Sequence, residues 1–484
     1  MSKNGALCPV FVCQNGAKRL KTIPACDIFQ PERCFPLLRR KYEKEISEYL
    51  ERGGKALLVT GARQTGKTYL IRELCRRTGK VFVEFNLIDR PDIASMLKAS
   101  KDANDVLLRL SFAVSTPLEP GNTIVFFDEV QEAGDIVTLI KFLVDEGSYQ
   151  YVLSGSLLGV ELQDIRSVPV GYMHIVEMFP MDFREFLWAI GVKEESIEIL
   201  RKHYCEETPV DPFIHEKMRE LYYRYLVIGG MPEAVRTYVE TNDLKRVEEI
   251  HRDITALYKR DFTKYEKEDK LRLESIYDLI PSQLNKQNRR FVFTYLNKEL
   301  KFDRYENSFL WLKDAGVAIP VYNAAVPALP LEQSKASNLF KLFMNDVGLL
   351  NSHYSTDVKL HILNMDGSVN NGALFENAAA QQLTANGLQL YYYKTVKAGE
   401  VDIITELDGK VLPIEVKSGS NYRTHSSLDK LLADPEYGIE KGIVLCDAEL
   451  SRYGNVLYLP VYMSMFIENT KLESLIIPID ISGL

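Results

Sequence analysis

The stretch "KALLVTGARQTGKT", Lys55–Thr68, decides the fold. An apolar run of strand composition leads into Gly61, Gly66, Lys67 and Thr68 at the spacing G-x-x-x-x-G-K-[ST]. The next segment, "YLIRELCRRTGK", has helical periodicity and stops at Gly79. A glycine-rich turn between strand and helix lets successive backbone N–H groups face an anion, and the helix N-terminus adds partial positive charge. Gly61, Ala62, Arg63, Gln64, Thr65, Gly66, Lys67, Thr68 and Tyr69 are therefore the candidate nucleotide loop, with ATP as the expected ligand. Lys67 is placed to reach the β- and γ-phosphates and Thr68 to offer a hydroxyl to Mg2+.

Downstream, "TIVFFDE" is an apolar strand that ends in two acids. Asp128 is the expected magnesium partner, and Glu129 the carboxylate that polarises an attacking water. "QYVLSG" and "YMHIVEM" read as further strands, "VFVEFNL" as the one after the loop helix, and "DIVTLIKFLVDEG" as a helix between them. Strands alternating with helices predict a parallel sheet covered on both faces. Ser154, or its neighbour Ser156, closes one of these strands where a hydroxyl could meet the γ-phosphate. Arg166 in "DIRSVP" is the candidate charge-neutralising arginine, supplied to a neighbouring subunit of a homo-oligomer.

At 484 residues the chain is too long for one core and is expected to hold several domains. A net charge of −8 excludes overall basicity as a reason to bind nucleic acid, though not a local basic face. No apolar run approaches a membrane span and the N-terminus lacks a signal-peptide order, so the expectation is a cytoplasmic protein without membrane contact. Cys8, Cys13, Cys26 and Cys34 crowd the N-terminus but match no common zinc spacing. Residues 1–35 are expected to be a poorly specified extension and 36–182 the P-loop core. Helical periodicity then predicts a lid over 183–265. Three helices and a short strand, "VAIPVYN", predict a winged helix over 266–325, able to take DNA or a protein partner. The Pro- and Ala-rich 326–337 reads as a linker before a last module, 338–484.

That module contains "GEVDIITELDGKVLPIEVKSG", Gly399–Gly419. Asp408-Gly409 between two apolar runs predicts a two-residue hairpin turn. Counting outward pairs Leu407 with Lys410 and sets Asp402 opposite Glu415, with Lys417 on the same face. Opposed carboxylates destabilise a sheet unless compensated, and a divalent cation is the usual compensation. The alternative is that Lys417 pairs with Glu400 and the face is merely solvated. Pro413 is the awkward residue, because a bulge there would shift Glu415 out of register.

Together "LLVTGARQTGKT", "IVFFDEVQE", "YVLSGSLLG", "MFPMDFREFL", "YLVIGGMPEAV" and "GALFENAAAQQL" followed by the hairpin resemble the prokaryotic AAA-family ATPases that join a P-loop domain to a C-terminal domain of unknown function with a restriction-endonuclease-like fold. The resemblance runs over roughly residues 38 to 420 and implies an α/β architecture: P-loop parallel sheet, helical lid, winged helix, nuclease-like α/β module. It also implies that Asp402, Glu415 and the Val416 carbonyl bind Mg2+, that Glu376 assists, and that Lys417 positions or activates water. The expected function is an ATP-hydrolysing conformational switch whose last module binds or cleaves DNA. The alternatives are an ATP-regulated, metal-dependent nuclease and a nucleotide-stabilised scaffold for a protein partner.

Overall fold

The computed structural model describes residues 7–14, 17–24, 38–114, 116–156, 170–262, 267–286, 289–292, 295–296 and 305–470. The chain divides into two compact units, Met1–Leu38 and Arg39–Leu484. In the first, β1 (Leu7–Gln14) and β2 (Ala17–Pro24) pair antiparallel, with Gln14 opposite Ala17. This corrects the expectation of an unpatterned extension. The dipeptide between the paired ends is Asn15-Gly16, the sequence favoured for a two-residue hairpin loop.

In the second unit, β3 (Ala56–Thr60), β4 (Val81–Asn86), β5 (Thr123–Asp128), β6 (Gln150–Ser154) and β7 (Met173–Glu177) form one parallel sheet in the order β4-β5-β6-β3-β7. Leu58, Phe85, Val125, Phe127 and Leu153 pack with Leu97, Leu110, Ile140 and Leu143 of the covering helices into one core. Continuous apolar strands are what burial on both faces requires. Their C-terminal ends bring Thr60, Asn86, Asp128 and Ser154 to one edge, where ligands of such sheets bind. The helices Pro212–Ile228, Pro232–Thr241 and Leu244–Asp261 follow, the first closed by Gly229.

The last sheet has eight strands: β8 (Ala318–Ala324), β9 (Lys335–Met344), β10 (Leu390–Thr395), β11 (Gly399–Leu407), β12 (Lys410–Val416), β13 (Gly442–Cys446), β14 (Ser451–Tyr453) and β15 (Val456–Pro460). Its order is β14-β15-β13-β12-β11-β10-β8-β9. Two expectations are corrected here. The strand assigned to a winged helix is β8, which runs parallel to β10 with Tyr322 opposite Tyr391, and the supposed linker 326–337 lies inside the module, its last three residues already in β9. A partner so distant in sequence leaves no local trace. The middle helix expected at "RRFVFTYLNKEL" is also absent from residues 289–292, which are irregular; the helices Lys267–Leu284 and Glu306–Asp314 are present.

The β11–β12 hairpin follows the counted register from Leu407↔Lys410 to Ile403↔Ile414. Asp408 and Gly409 have φ of 48° and 73°, the left-handed pair that a type I′ turn demands. Pro413 faces Ile404 without a bulge, and pairing with β13 begins only at Ile414, so no ladder bond is lost for want of its N–H.

Candidate functional site

The loop between β3 and the helix Lys67–Arg77 wraps its own lysine. Lys67 Nζ donates to the carbonyls of Gly61 (2.9 Å) and Ala62 (2.8 Å) and to Ser156 Oγ (3.3 Å). Burial lowers its pKa to about 8. Gly61 has φ 128°, and a Cβ there would lie 2.1 Å from the Met178 carbonyl oxygen, so only glycine fits. Gln64 is also left-handed, and Thr65 is fully buried with its hydroxyl on the Ala62 carbonyl. Tyr69 is half exposed on the first helical turn.

Asp128 is ringed by neutral donors. Thr68 Oγ1 lies 3.1 Å from each of its carboxylate oxygens, Asn86 Nδ2 lies 3.2 Å from Oδ2, and Ser154 Oγ bonds Oδ1. The structure thus brings together Thr68, Asp128 and Ser154, and adds Asn86, which stands opposite Asp128 in the β4–β5 register. Glu129 follows in the left-handed region (φ 57°), with its carboxylate bonded by Gln131 Nε2. Lys67 lies near enough to feel the Asp128 and Glu129 charges but hydrogen-bonds neither, so the hydroxyl and carboxylate oxygens of Thr68 and Asp128 suit a hard divalent ion. Arg166 lies outside the described residues.

Arg40 was not legible as a site residue. Its guanidinium donates to the Thr65 carbonyl (2.5 Å), the Phe179 carbonyl (2.7 Å) and Glu185 Oε1 (2.9 Å), tying the loop to the capped helix Phe183–Ala189. Two further contacts face the later elements. Arg63 pairs with Asp261 at 2.8 Å, and its carbonyl accepts from Tyr258 Oη at 3.2 Å.

The hairpin carboxylates occupy a second cluster, and fixed cations fill it. Fully buried Lys341, on β9, places Nζ 2.7 Å from Glu376, 3.0 Å from Glu400 and 3.5 Å from Asp402. Arg289 Nη1 bonds Glu376 Oε2 and lies 3.8 Å from Asp402 Oδ1. Lys417 pairs with Glu415 at 2.7 Å, while Glu400 is taken by Lys341 and by Lys394 at 2.7 Å. Burial opposes the Asp402 charge, yet Lys341, Arg289 and the Val416 N–H at 3.0 Å outweigh it and hold its pKa low. Glu415 goes the other way, pushed up to about 7 by burial and then by Asp402. Its Oε2 is buried without a hydrogen-bond partner.

Among the described residues no three His, Cys, Asp or Glu side chains converge as metal ligands. The magnesium set implied for Glu376, Asp402 and Glu415 therefore does not fit this arrangement, because side-chain cations lie between the carboxylates. Lys341 had a readable signal: a lysine inside the apolar run "LFKLFM" must be paired if buried. Glu400 was legible on the hairpin face but pairs with Lys341 and Lys394 and not with Lys417.

Residues 53–187 match the family model described as an AAA domain. Residues 219–360 and 371–462 match two models, each described as a domain of unknown function (DUF8612 and DUF4143). The match to the AAA domain covers the part of the chain that holds Lys67, Thr68 and Asp128. Similar solved structures include a Walker-type ATPase of Pyrococcus abyssi (15% identity, 65% of this chain and 95% of that one, TM-score 0.39). Another is the RuvB Holliday junction branch migration motor of Thermotoga maritima (14% identity, 62% and 90%, TM-score 0.27). No curated protein matches the chain. No helix among the described residues is long and apolar enough to cross a membrane.

Proposed function

We propose that the chain is an ATP-hydrolysing switch whose nucleotide site acts on the C-terminal module. One observation carries this reading: two sets of polar contacts between the loop and that module, which meet at the adjacent residues Asn345 and Asp346. The Arg63 carbonyl accepts from Tyr258 Oη, which in turn accepts from Asn345 Nδ2 at 3.3 Å. Next to it, Asp346 Oδ2 accepts from the Gly230 N–H (2.6 Å) and from Gln381 Nε2 (3.2 Å). Gln381 lies on the helix Gly372–Ala385, which also bears Glu376. Gly229 and Gly348 approach so closely that a Cβ on Gly229 would lie 2.7 Å from the Gly348 Cα. Tightly packed junctions of this kind move between discrete arrangements and do not deform smoothly.

On this reading ATP phosphates replace the Gly61 and Ala62 carbonyls as partners of Lys67. Glu129 turns from Gln131 to orient the attacking water, and Ser154 holds Asp128 in place. Bound with nucleotide, Mg2+ would be held by Thr68 and Asp128 and would neutralise phosphate charge. Arg166 is our candidate for the positive group at the γ-phosphate. The test is amide hydrogen exchange with and without ATP, in the parent and in Lys67→Ala. The switch reading expects ATP to change protection in β9 and in Gly372–Ala385, and Lys67→Ala to abolish the change. ATP turnover with no such change would overturn it.

A second reading, that the module cleaves DNA, is favoured by one contact: Lys417 on Glu415, beside Asp402. Metal-dependent scission of plasmid DNA that disappears in Lys417→Ala would support it, and scission unchanged in that variant would exclude it.

A further inference from the structure

A cavity of about 460 Å³ lies between the parallel sheet and the C-terminal module, and the start of the nucleotide loop opens into it. Thr60, Gly61 and Ser156 line it from one side, and Lys313, Gly316 and Asn345 from the other. Ser156 is the residue whose hydroxyl Lys67 already touches, so the cavity borders the side of the loop on which a γ-phosphate held by Lys67 belongs.

Lys313 stands in the last turn of the helix Glu306–Asp314, and the turn after that helix rests on the loop. Gly316, left-handed at φ 70°, donates its N–H to the Lys313 carbonyl at 2.8 Å, and a Cβ on Gly316 would lie 3.0 Å from the Ala62 nitrogen. Glu177 places the Lys313 ammonium at the same edge independently. It pairs with Thr60 across β7 and β3; burial raises its pKa, and Lys313 is the cation that acts to lower it. The ammonium itself makes no hydrogen bond or ion pair among the described residues, and Lys313 is exposed.

We propose that Lys313 reads the γ-phosphate of ATP from within the same chain, its ammonium joining that of Lys67 on the terminal phosphate and drawing the helix Glu306–Asp314 with it. The inference rests on reading the loop as an ATP site. A compact charge on a flexible four-carbon stem suits a phosphate oxygen reached across a cavity. In hydrolysis the water oxygen bonds to the γ-phosphorus as the bond to the β–γ bridging oxygen breaks, and Glu129 takes the water's proton. Lys313 neutralises charge on the phosphoryl oxygens and gives up no proton. The movement has a direct outlet into the module. The turn continues as β8, between β9 and β10 in the sheet, and the Val317 carbonyl accepts from the Asn345 N–H at 3.3 Å. ATP is thereby distinguished from ADP at the base of β8.

The test is the affinity of the full chain for ADP and for a non-hydrolysable ATP analogue, each with Mg2+, in the parent, Lys313→Ala and Lys313→Arg. Lys313→Ala is expected to weaken the analogue by about tenfold or more and to leave ADP within about twofold, and Lys313→Arg to recover most of the difference. Turnover of ATP by Lys313→Ala should fall by about 10²-fold. An unchanged ratio of the two affinities overturns the proposal, and so does equal weakening of both nucleotides, which is what a merely structural lysine would give. Turnover restored on mixing Lys313→Ala with Lys67→Ala chains would move the contact to a neighbouring subunit and overturn the same-chain assignment. A parent and Lys313→Ala that differ in affinity for the analogue, with no turnover in either, uphold the contact and discard hydrolysis.

Discussion

Asp128 ends β5 and Asp402 lies within β11, and their neighbours give these two carboxylates opposite prospects. Asp128 is hydrogen-bonded only by neutral groups, the hydroxyls of Thr68 and Ser154 and the amide of Asn86, with the Lys67 ammonium acting on it through space alone. Around Asp402 stand Lys341 and Arg289. Neutral donors orient a carboxylate and leave its charge for an incoming cation; fixed cations cancel it. The number of carboxylates does not distinguish a metal site from an ion-pair network, whereas the charge of the surrounding groups does.

The sharpest way to break the comparison is to remove one partner from each site. Lys341→Ala leaves Glu376 and Glu400 buried without their central cation and should cost about 3–5 kcal/mol, read as loss of module stability in urea. Asp128→Asn, among neutral donors, should cost only about 1 kcal/mol by the same measurement. Equal losses would erase the distinction. Lys67→Ala should lower ATP turnover by about 10²–10³-fold, the usual size of an electrostatic contribution at the transition state, as measured by phosphate release.

The junction between the sites supplies two finer tests. His251, buried with Nε2 2.9 Å from the Ile228 carbonyl, has its pKa lowered by burial to about 4. The unfolded chain takes up this proton below about pH 6.5 and the folded chain does not until near 4, so stability falls as pH falls through that window, by about 3 kcal/mol. His251→Gln, which keeps a donor for the Ile228 carbonyl, should flatten that slope in unfolding curves taken at stepped pH. Tyr258→Phe removes the hydroxyl between Arg63 and Asn345. It should weaken the coupling between ATP binding and module protection by about 1 kcal/mol while leaving Lys67 in place, as read from hydrogen exchange at graded ATP.

Much of this was legible in the sequence, and the exceptions share a cause. The five strands of the first sheet announced themselves by apolar runs between helices, and the hairpin register followed from Asp408-Gly409 alone, because both signals are local. Asn15-Gly16 carried the same local signal and was passed over. β8 was assigned to the wrong domain because its partner β10 lies far along the chain. Arg40 and Arg289 also act through partners remote in sequence, Glu185 for one and Glu376 for the other, so their roles appear only once the fold places them. At the hairpin the sequence shows the charged residues Asp402, Glu415 and Lys417. What remained hidden was that Lys341, three strands beyond β11 in the sheet, would occupy the centre of the cluster.

The most direct test of the central claim is the number of Mn2+ ions bound by the parent chain in the presence of a non-hydrolysable ATP analogue. The account predicts a single ion, lost in Thr68→Ala and retained in Asp402→Asn. A second ion in the parent, lost on Asp402→Asn, would contradict it.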